Sequence, residues 1–283
     1  MLAGATAIFG SIGLVRRLIP LDSALVACVR GFVGAAFLLL FLLARGGNLS
    51  KNAIHANGKL LVISGAAIGL NWILLFEAYN YTTVAVATLC YYMAPVFVML
   101  LSPLILGEKL THRKLLCILT ALFGMVLVSG IFSEGVGGAE SYKGVLFGLG
   151  AAVLYASVIM MNQRIRDIPT YDKTIVQLLM AAVVALPYVL ATQDFAAMTL
   201  TTATLILLLV AGIVHTGFAY ALYFGSMDAL SAQTVALYGY IDPAVAILLS
   251  ALVLRESLDV FGIVGAVLIL GATLVSELGG KET

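Results

Sequence analysis

Residues 92–110 read YMAPVFVMLLSPLILGEKL, and residues 240–258 read YIDPAVAILLSALVLRESL. The second stretch keeps the Tyr-x-x-Pro start, the Leu-Leu-Ser centre and the Leu-x-Glu-x-Leu end of the first, at a constant distance of 148 residues. A tyrosine, a proline, a serine and a glutamate in one register are improbable by chance, so the chain contains an internal repeat. A repeat of this length constrains the fold more than any single helix does.

The composition predicts a membrane protein. Of the 283 residues, 62% are hydrophobic and 10% are charged, whereas soluble domains carry about 25% charged residues. The formal net charge is +1, so nothing indicates a nucleic-acid partner. Each of the three cysteines lies in an apolar run, and their spacing suits neither a metal site nor a redox pair. The expected partner is the lipid bilayer.

Apolar runs near the length that crosses a bilayer predict an all-α membrane protein with ten transmembrane helices. The predicted helices are at about 1–16, 22–43, 59–80, 83–106, 114–132, 143–163, 173–192, 203–225, 231–254 and 260–278. We predict two five-helix repeats, 1–132 and 143–279, joined by a Gly-rich linker at 133–142. The first run is not a signal peptide, because its positive charges follow the apolar stretch. It is short, so we expect the native start to lie upstream.

Five helices per repeat is an odd number, so the two copies are predicted to enter the membrane from opposite faces, as an inverted repeat. Lys and Arg are concentrated in the even-numbered loops and at the C-terminus, which predicts that both termini are cytoplasmic. The six residues after Glu108 include three basic ones, whereas the six after Glu256 include none. This asymmetry is typical of loops on opposite sides. We expect a multi-pass protein of the cell (inner) membrane.

At these residues the sequence resembles the drug/metabolite transporter (DMT) superfamily, in particular its EamA-like family. The repeat of that family ends in an apolar helix with Ala-Pro and then a Leu-Gly-Glu-x-Leu-Thr turn, found here as Ala94-Pro95 and residues 106–111. The second copy departs from the pattern, because Asp242 replaces Ala94 and Arg255 replaces Gly107. The resemblance covers nearly the whole chain. It implies ten helices, a central cavity between the halves and alternating access, and it names no cargo.

Two ionisable residues inside predicted helices are candidates for substrate binding. Asp242 lies about midway along the ninth helix, where a charged group usually faces a cavity or a partner. It suits a proton- or cation-binding carboxylate or the counter-ion of a cationic substrate; the alternative is an acid satisfied by a neighbouring Arg, Tyr or Ser. Arg30, about eight residues into the second helix, suits a substrate carboxylate. The alternative there is an interfacial arginine that locks helices together.

Aromatic and polar side chains complete the predicted binding site. Aromatic residues are concentrated in the third, fourth, eighth and ninth helices, and ring faces attract desolvated cations by about 2 kcal/mol. We take Trp72, Tyr92, Tyr220 and Tyr240 as candidates for lining a cavity, with helix packing as the alternative. Asn71 and His215 are polar groups in apolar runs, which either bridge helices or line water. His215 is the only histidine within a predicted helix, which argues against a metal site, and no cofactor is expected.

These features predict a secondary transporter that moves a small metabolite, an amino acid or a related zwitterion or amine, by alternating access. We expect export, with Asp242 as the group that would couple it to protons. The alternatives are a quaternary-amine or drug-type cation transporter, a channel and an intramembrane enzyme. The sequence contains no phosphate-binding loop and no catalytic motif, so an enzyme is not favoured. A homodimer is left open.

Overall fold

The computed structural model describes residues 1–128, 141–196, 198, 200–254 and 260–278. Within these ranges the regular structure is entirely helical. The helices, numbered in chain order, are α1 (Leu2–Arg17), α2 (Ser23–Ala44), α3 (Lys51–Tyr81), α4 (Val84–Tyr91), α5 (Ala94–Ile105), α6 (His112–Val128), α7 (Ser141–Asn162), α8 (Thr170–Thr192), α9 (Thr202–Gly212), α10 (Ala219–Met227), α11 (Ala232–Tyr238), α12 (Ile241–Leu254) and α13 (Val260–Leu278). Most of the predicted linker, together with Arg255 and Glu256, lies outside the described residues.

The described helices are suited to a membrane. Six helical spans are long and apolar enough to cross one, and these are Ser23–Ala44, Lys51–Tyr81, Val86–Ile105, Ser141–Asn162, Thr170–Thr192 and Thr202–Met227. Two shorter apolar helices, Leu2–Arg16 and Val260–Val275, accompany them. Many large apolar side chains are exposed on the outer surface, as expected where lipid is the solvent.

The fourth and ninth predicted helices are each divided into two segments, upstream of Pro95 and of Pro243. The break lies a few residues before a proline in both: α4 ends at Tyr91, four before Pro95, and α11 ends at Tyr238, five before Pro243. Proline provides no N–H for the carbonyl four residues earlier, and its ring crowds that carbonyl. The helix therefore ends at or next to the unpaired carbonyl, upstream of the proline itself.

The eighth predicted helix contains an unpredicted π-helical turn, Ile213–Phe218, between α9 and α10. A π turn accommodates more residues than an α turn and is often found at functional sites. The α3 helix also differs from its prediction, since it begins at Lys51, two turns early. The backbone N–H of Ser50, just before α3, donates to the buried carboxylate of Asp172 at 2.8 Å, which ties down this start.

Hydrogen bonds between loops identify the two ends of the bundle. At one end Ser50 bonds to Asp172, and at the other the hydroxyls of Thr82 and Ser141 lie 2.6 Å apart. The α3 helix runs from the first end to the second, and α4 and α5 run back, so Glu108 lies at the first end. The α2 helix ends near Ser50 at the first end, so its start and the preceding Arg16 lie at the second. We call them the Glu108 end and the Arg16 end.

The main helix packing joins the first half of the chain to the second. The α3 helix packs against α7 and α8, α2 packs against α8 and the π turn, α1 packs against α10 and α12, and α6 packs against α13. Glycines permit the closest of these approaches: a Cβ atom on Gly69 would lie 2.5 Å from the carbonyl oxygen of Ala181. Both halves line the first of the two cavities described next, whereas the first half supplies all but one of the residues that line the second.

Candidate functional site

Asp242 lies in the first turn of α12, directly after the break in its helix. The Tyr92 hydroxyl lies near its carboxylate. The Tyr92 and Tyr240 rings stack with their centroids 6.3 Å apart, and the Tyr240 hydroxyl donates to the backbone carbonyl of Tyr92 at 3.0 Å. The two broken helices thus meet through the matching tyrosines of the repeat, and this contact positions Asp242.

A small cavity of about 30 Å³ adjoins the Asp242 carboxylate, and we call it the Asp242 cavity. It has space for about two water molecules. Its lining consists of Thr6, Phe9, Tyr91, Tyr92, Ala94, Pro95, Tyr155, Gly239 and Asp242. The sequence analysis did not select Thr6, Phe9 or Tyr155. Nothing local marks them, because they reach the cavity only through the packing of α1 and α7.

A larger cavity of about 240 Å³, which we call the Arg30 cavity, extends from Arg30 to the loop between α1 and α2 at the Arg16 end. Its lining consists of Ile12, Gly13, Arg16, Ile19, Ser23, Val26, Ala27, Arg30, Phe76, Tyr79 and Ala211, with no acidic residue among them. The Arg16 guanidinium already has hydrogen-bond acceptors within the protein. It donates to the carbonyls of Ile19 and Leu21, both at 2.7 Å, and to the Ser23 hydroxyl.

The Arg30 guanidinium is the part of this cavity that lacks an acceptor. Its Nε atom is buried without a hydrogen-bond partner among the described residues. The guanidinium lies over the Trp72 ring at 5.1 Å, and Tyr220 and Asp242 are near enough to interact with its charge. No ion pair within 4.0 Å joins Arg30 to Asp242 in the described part of the chain. A ligand with an anionic group would supply the missing acceptor.

The remaining predicted residues occupy three different places. Tyr220 is near enough to both charged residues to interact with their charges, and it packs edge-on against Phe9, with ring centroids 5.0 Å apart. His215 lies in the π turn, where Nε2 is 3.1 Å from the Ser11 hydroxyl of α1. Asn71 lines neither cavity, because its amide donates to the Ala151 carbonyl at 2.6 Å and links α3 to α7. Of the eight predicted residues, Tyr92, Asp242 and Arg30 therefore line a cavity, whereas Trp72, Tyr220, Tyr240, His215 and Asn71 line neither of the two.

At the opposite end of the bundle, Glu108 joins the two halves. Its Oε1 atom accepts from the backbone N–H of Ala232 at 2.6 Å, and its Oε2 atom accepts from that of Gln233 at 3.2 Å. The Gln233 amide donates in turn to the buried Ser102 hydroxyl at 2.8 Å. Gly107, with φ at +72°, allows the turn that presents Glu108. The carboxylate therefore caps α11 from the other half of the protein.

We expect Glu108→Ala to lower the free energy of unfolding by about 1–3 kcal/mol, because two backbone donors at the start of α11 lose a charged acceptor. Glu108→Gln retains one acceptor oxygen and should lose less. The measurement is the thermal unfolding of purified protein in detergent, with the exposed neighbour Lys109→Ala as the matched control. Equal stability of Glu108→Ala and Lys109→Ala would contradict the capping role.

A family model and several known proteins match this chain in sequence. The family model described as EamA-like transporter family matches residues 1–130 and 142–277. The chain is 29% identical over 276 residues to the uncharacterized transporter YxxF of Bacillus subtilis, covering 96% of this chain and 88% of the relative. It is 25% identical over 264 residues to Protein PecM of Dickeya dadantii, covering 92% and 85%. It is 26% identical over 167 residues to the pseudopaline exporter CntI of Pseudomonas aeruginosa, covering 59% and 56%.

A solved crystal structure shares the fold. It is 18% identical in sequence and aligns with a TM-score of 0.87 over 99% of this chain and 98% of that chain. Among the described residues, no group of three His, Cys, Asp or Glu side chains is placed to hold a metal ion.

Proposed function

Because this chain belongs to the EamA-like transporter family, we propose that it exports a small metabolite with an anionic group, such as an amino acid or a related zwitterion, by alternating access. The family resemblance inferred from the repeat is confirmed, and the chain is a multi-pass membrane transporter. The observation that carries the proposed substrate class is Arg30, a half-buried cation whose buried Nε atom has no partner among the described residues, in a cavity lined by no acid.

The Arg30 cavity is the proposed substrate site. Its volume of about 240 Å³ suits a small metabolite, and its walls combine Arg30 with aromatic rings such as Phe76 and Tyr79. The planar guanidinium of an arginine presents a fork of N–H donors that matches a carboxylate. Export is supported by one relative, which is named as an exporter.

Asp242 is the proposed proton-exchange site. The Asp242 cavity has space for water but not for a quaternary amine, because its volume is about 30 Å³. The same observation disfavours a drug-type cation held on Asp242 in this conformation. Arg30 and Asp242 are close enough to interact electrostatically. An anionic substrate on Arg30 and a proton on Asp242 would therefore influence each other, as coupled transport requires.

We also propose ten membrane crossings in two inverted sets of five. The crossings would combine α4 with α5, α9 with α10, and α11 with α12. Two observations support this arrangement: α1 runs toward the Arg16 end while α7 runs away from it, and the breaks before Pro95 and Pro243 match. With loop charges as the guide, the Glu108 end would be cytoplasmic in the cell (inner) membrane.

A ligand screen by thermal shift tests the proposed substrate class, since a ligand of the folded state raises its apparent stability. Each amino acid is tested beside the amine that lacks its carboxylate and beside its amide. We expect acids to stabilise the purified protein and their amines to have no effect. Stabilisation by the amines, and by choline-like cations, at lower concentrations than by the acids would reject the proposal in favour of a cation transporter.

We expect Arg30→Gln to weaken binding of a stabilising acid by about 10-fold or more, because a hydrogen bond to a charged group contributes about 1.5–3 kcal/mol. Calorimetric titration of purified protein gives the dissociation constant. Arg45→Gln is the matched control, because Arg45 lies in the loop after α2 and contacts Phe41 instead of a cavity. Unchanged affinity in Arg30→Gln would remove Arg30 from the binding site.

A further inference from the structure

Between matching glycines, α3 and its counterpart in the second half differ by one residue, and the difference lies in the π turn. From Gly217 onward the second half matches the first at a distance of 148 residues, so that Gly69 corresponds to Gly217 and Phe76 to Phe224. Before the π turn the distance is 147, so that Gly65 corresponds to Gly212. The Gly-x-x-x-Gly of α3 thus becomes Gly-x-x-x-x-Gly in the second half.

The burial pattern supports the change of register. With a distance of 147, buried Leu61 (0% exposed) corresponds to Leu208 (6%), and exposed Val62 (43%) corresponds to Leu209 (50%). A distance of 148 would instead pair buried Leu61 with exposed Leu209. Before the π turn, buried residues therefore correspond to buried residues of α3, and exposed ones to exposed ones, only at the distance of 147. The second half thus has one more residue than α3 at the π turn.

The glycines have equivalent contacts in both halves. A Cβ atom on Gly65 or Gly69 would meet α8, the second long helix of the other half. A Cβ atom on Gly212 would meet Val33 of α2, and one on Gly217 would meet the carbonyl of Gly34 at 3.0 Å. Both glycine pairs thus face the second helix of the opposite half. The extra residue is absorbed without moving either glycine from its contact.

We propose that the π turn is a one-residue insertion in the second repeat, and that it makes His215 a positioning residue that holds α1 through Ser11. The imidazole Nε2 atom lies 3.1 Å from the Ser11 hydroxyl, and Nδ1 faces the Val210 carbonyl at 3.4 Å. The α3 segment between Gly65 and Gly69 holds only Ala66, Ala67 and Ile68, so it offers no counterpart of the imidazole.

The position of Ser11 gives this contact a role in transport, and this step rests on the proposed function. On α1, Thr6 and Phe9 line the Asp242 cavity, whereas Ile12 and Gly13 line the Arg30 cavity. Ser11 lies between these pairs in the sequence. The His215–Ser11 contact therefore holds the helix at the level that separates the two cavities, and it limits access to Asp242.

A pair of deletions tests the insertion without any transport assay. Deletion of Val214, whose side chain is partly exposed on the bundle surface, should convert the π turn to regular α-helix and leave a folded protein. Deletion of Ala67, from the matching segment of α3, should shift the buried face of that helix and prevent folding. Size-exclusion chromatography in detergent reports both outcomes. Loss of the monodisperse peak in the Val214 deletion, to the same extent as in the Ala67 deletion, would overturn the insertion.

Carbodiimide labelling tests the positioning role. Dicyclohexylcarbodiimide attacks protonated carboxyl groups inside membranes, and mass spectrometry of the purified protein gives the rate at Asp242. We expect His215→Ala and Ser11→Ala each to increase this rate by about 5-fold, the factor that one net hydrogen bond represents. The double variant should show no further increase, and His215→Gln, which keeps a donor, should restore the original rate.

Two results would overturn the positioning role. One is an unchanged labelling rate in both His215→Ala and Ser11→Ala. The other is a double variant in which the two increases multiply, since the residues would then act independently. Neither result depends on the identity of the substrate, so a failed ligand screen with a successful labelling experiment would reject the proposed substrate class and retain the role of His215.

Discussion

Proton movement driven by substrate should be lost when Asp242 is replaced by asparagine. The variant keeps the shape and a hydrogen-bonding group for Tyr92 but has no proton to exchange. It is expected to bind the substrate on Arg30, because the Arg30 cavity does not include position 242. Binding should therefore persist, while transport no longer responds to a pH gradient.

The experiment uses proteoliposomes that contain a pH-sensitive dye, with an amino acid that stabilises the purified protein added outside. In the parent protein we expect an internal pH change that follows substrate entry; in Asp242→Asn we expect substrate exchange without it. Asp22→Asn is the matched control, because Asp22 caps α2 through the backbone N–H of Ala24 and asparagine caps equally well. Proton movement that persists in Asp242→Asn would exclude Asp242 as the coupling site.

The substitution with the largest expected effect on folding is Gly69→Val. Even the Cβ atom of a new side chain would lie 2.5 Å from the Ala181 carbonyl oxygen and 3.1 Å from Val184 Cβ. These are backbone and near-backbone atoms, so α3 and α8 would have to separate. Overpacking of this kind costs about 3 kcal/mol, which lowers the melting temperature of a chain of this size by roughly 6–12 °C.

Thermal unfolding in detergent, followed by loss of the monodisperse peak, measures this effect. Gly271→Val is the matched control, because a Cβ atom at Gly271 in α13 would have no neighbour within 4 Å. We expect that variant to unfold near the parent temperature. A Gly69→Val protein as stable as Gly271→Val would show that α3 and α8 do not depend on close backbone contact.

The Glu108 contact and the Arg30 cavity lie at opposite ends of the bundle, and together they describe one state of the proposed transport cycle. The Glu108 end is joined across the halves by Glu108 and by Gln233. The Arg30 cavity extends toward the Arg16 end. Under alternating access the Glu108 contact would have to break for substrate to enter from that side, so the carboxylate would help to set the balance between the two states.

Several features of this protein follow from its sequence by itself. Hydropathy and charge content predict a helical membrane protein, because the cost of placing polar groups in lipid depends on residue type alone. The Tyr-x-x-Pro repeat led to the transporter family, and the rarity of charge in apolar helices selected Arg30 and Asp242. Such inferences need only the order of residues along the chain.

Only the tertiary structure decided how these residues are arranged. Thr6 and Phe9 line the Asp242 cavity because α1 packs there. Asn71 links α3 to α7 because its amide donates to the Ala151 carbonyl, which lies opposite it. Glu108 belongs to the Leu-Gly-Glu-x-Leu-Thr turn that the sequence shows, yet its partners are backbone groups more than 120 positions away. Contacts between distant segments depend on how helices pack in three dimensions. Local hydrophobic patterns do not determine which helices become neighbours, so they do not predict these contacts.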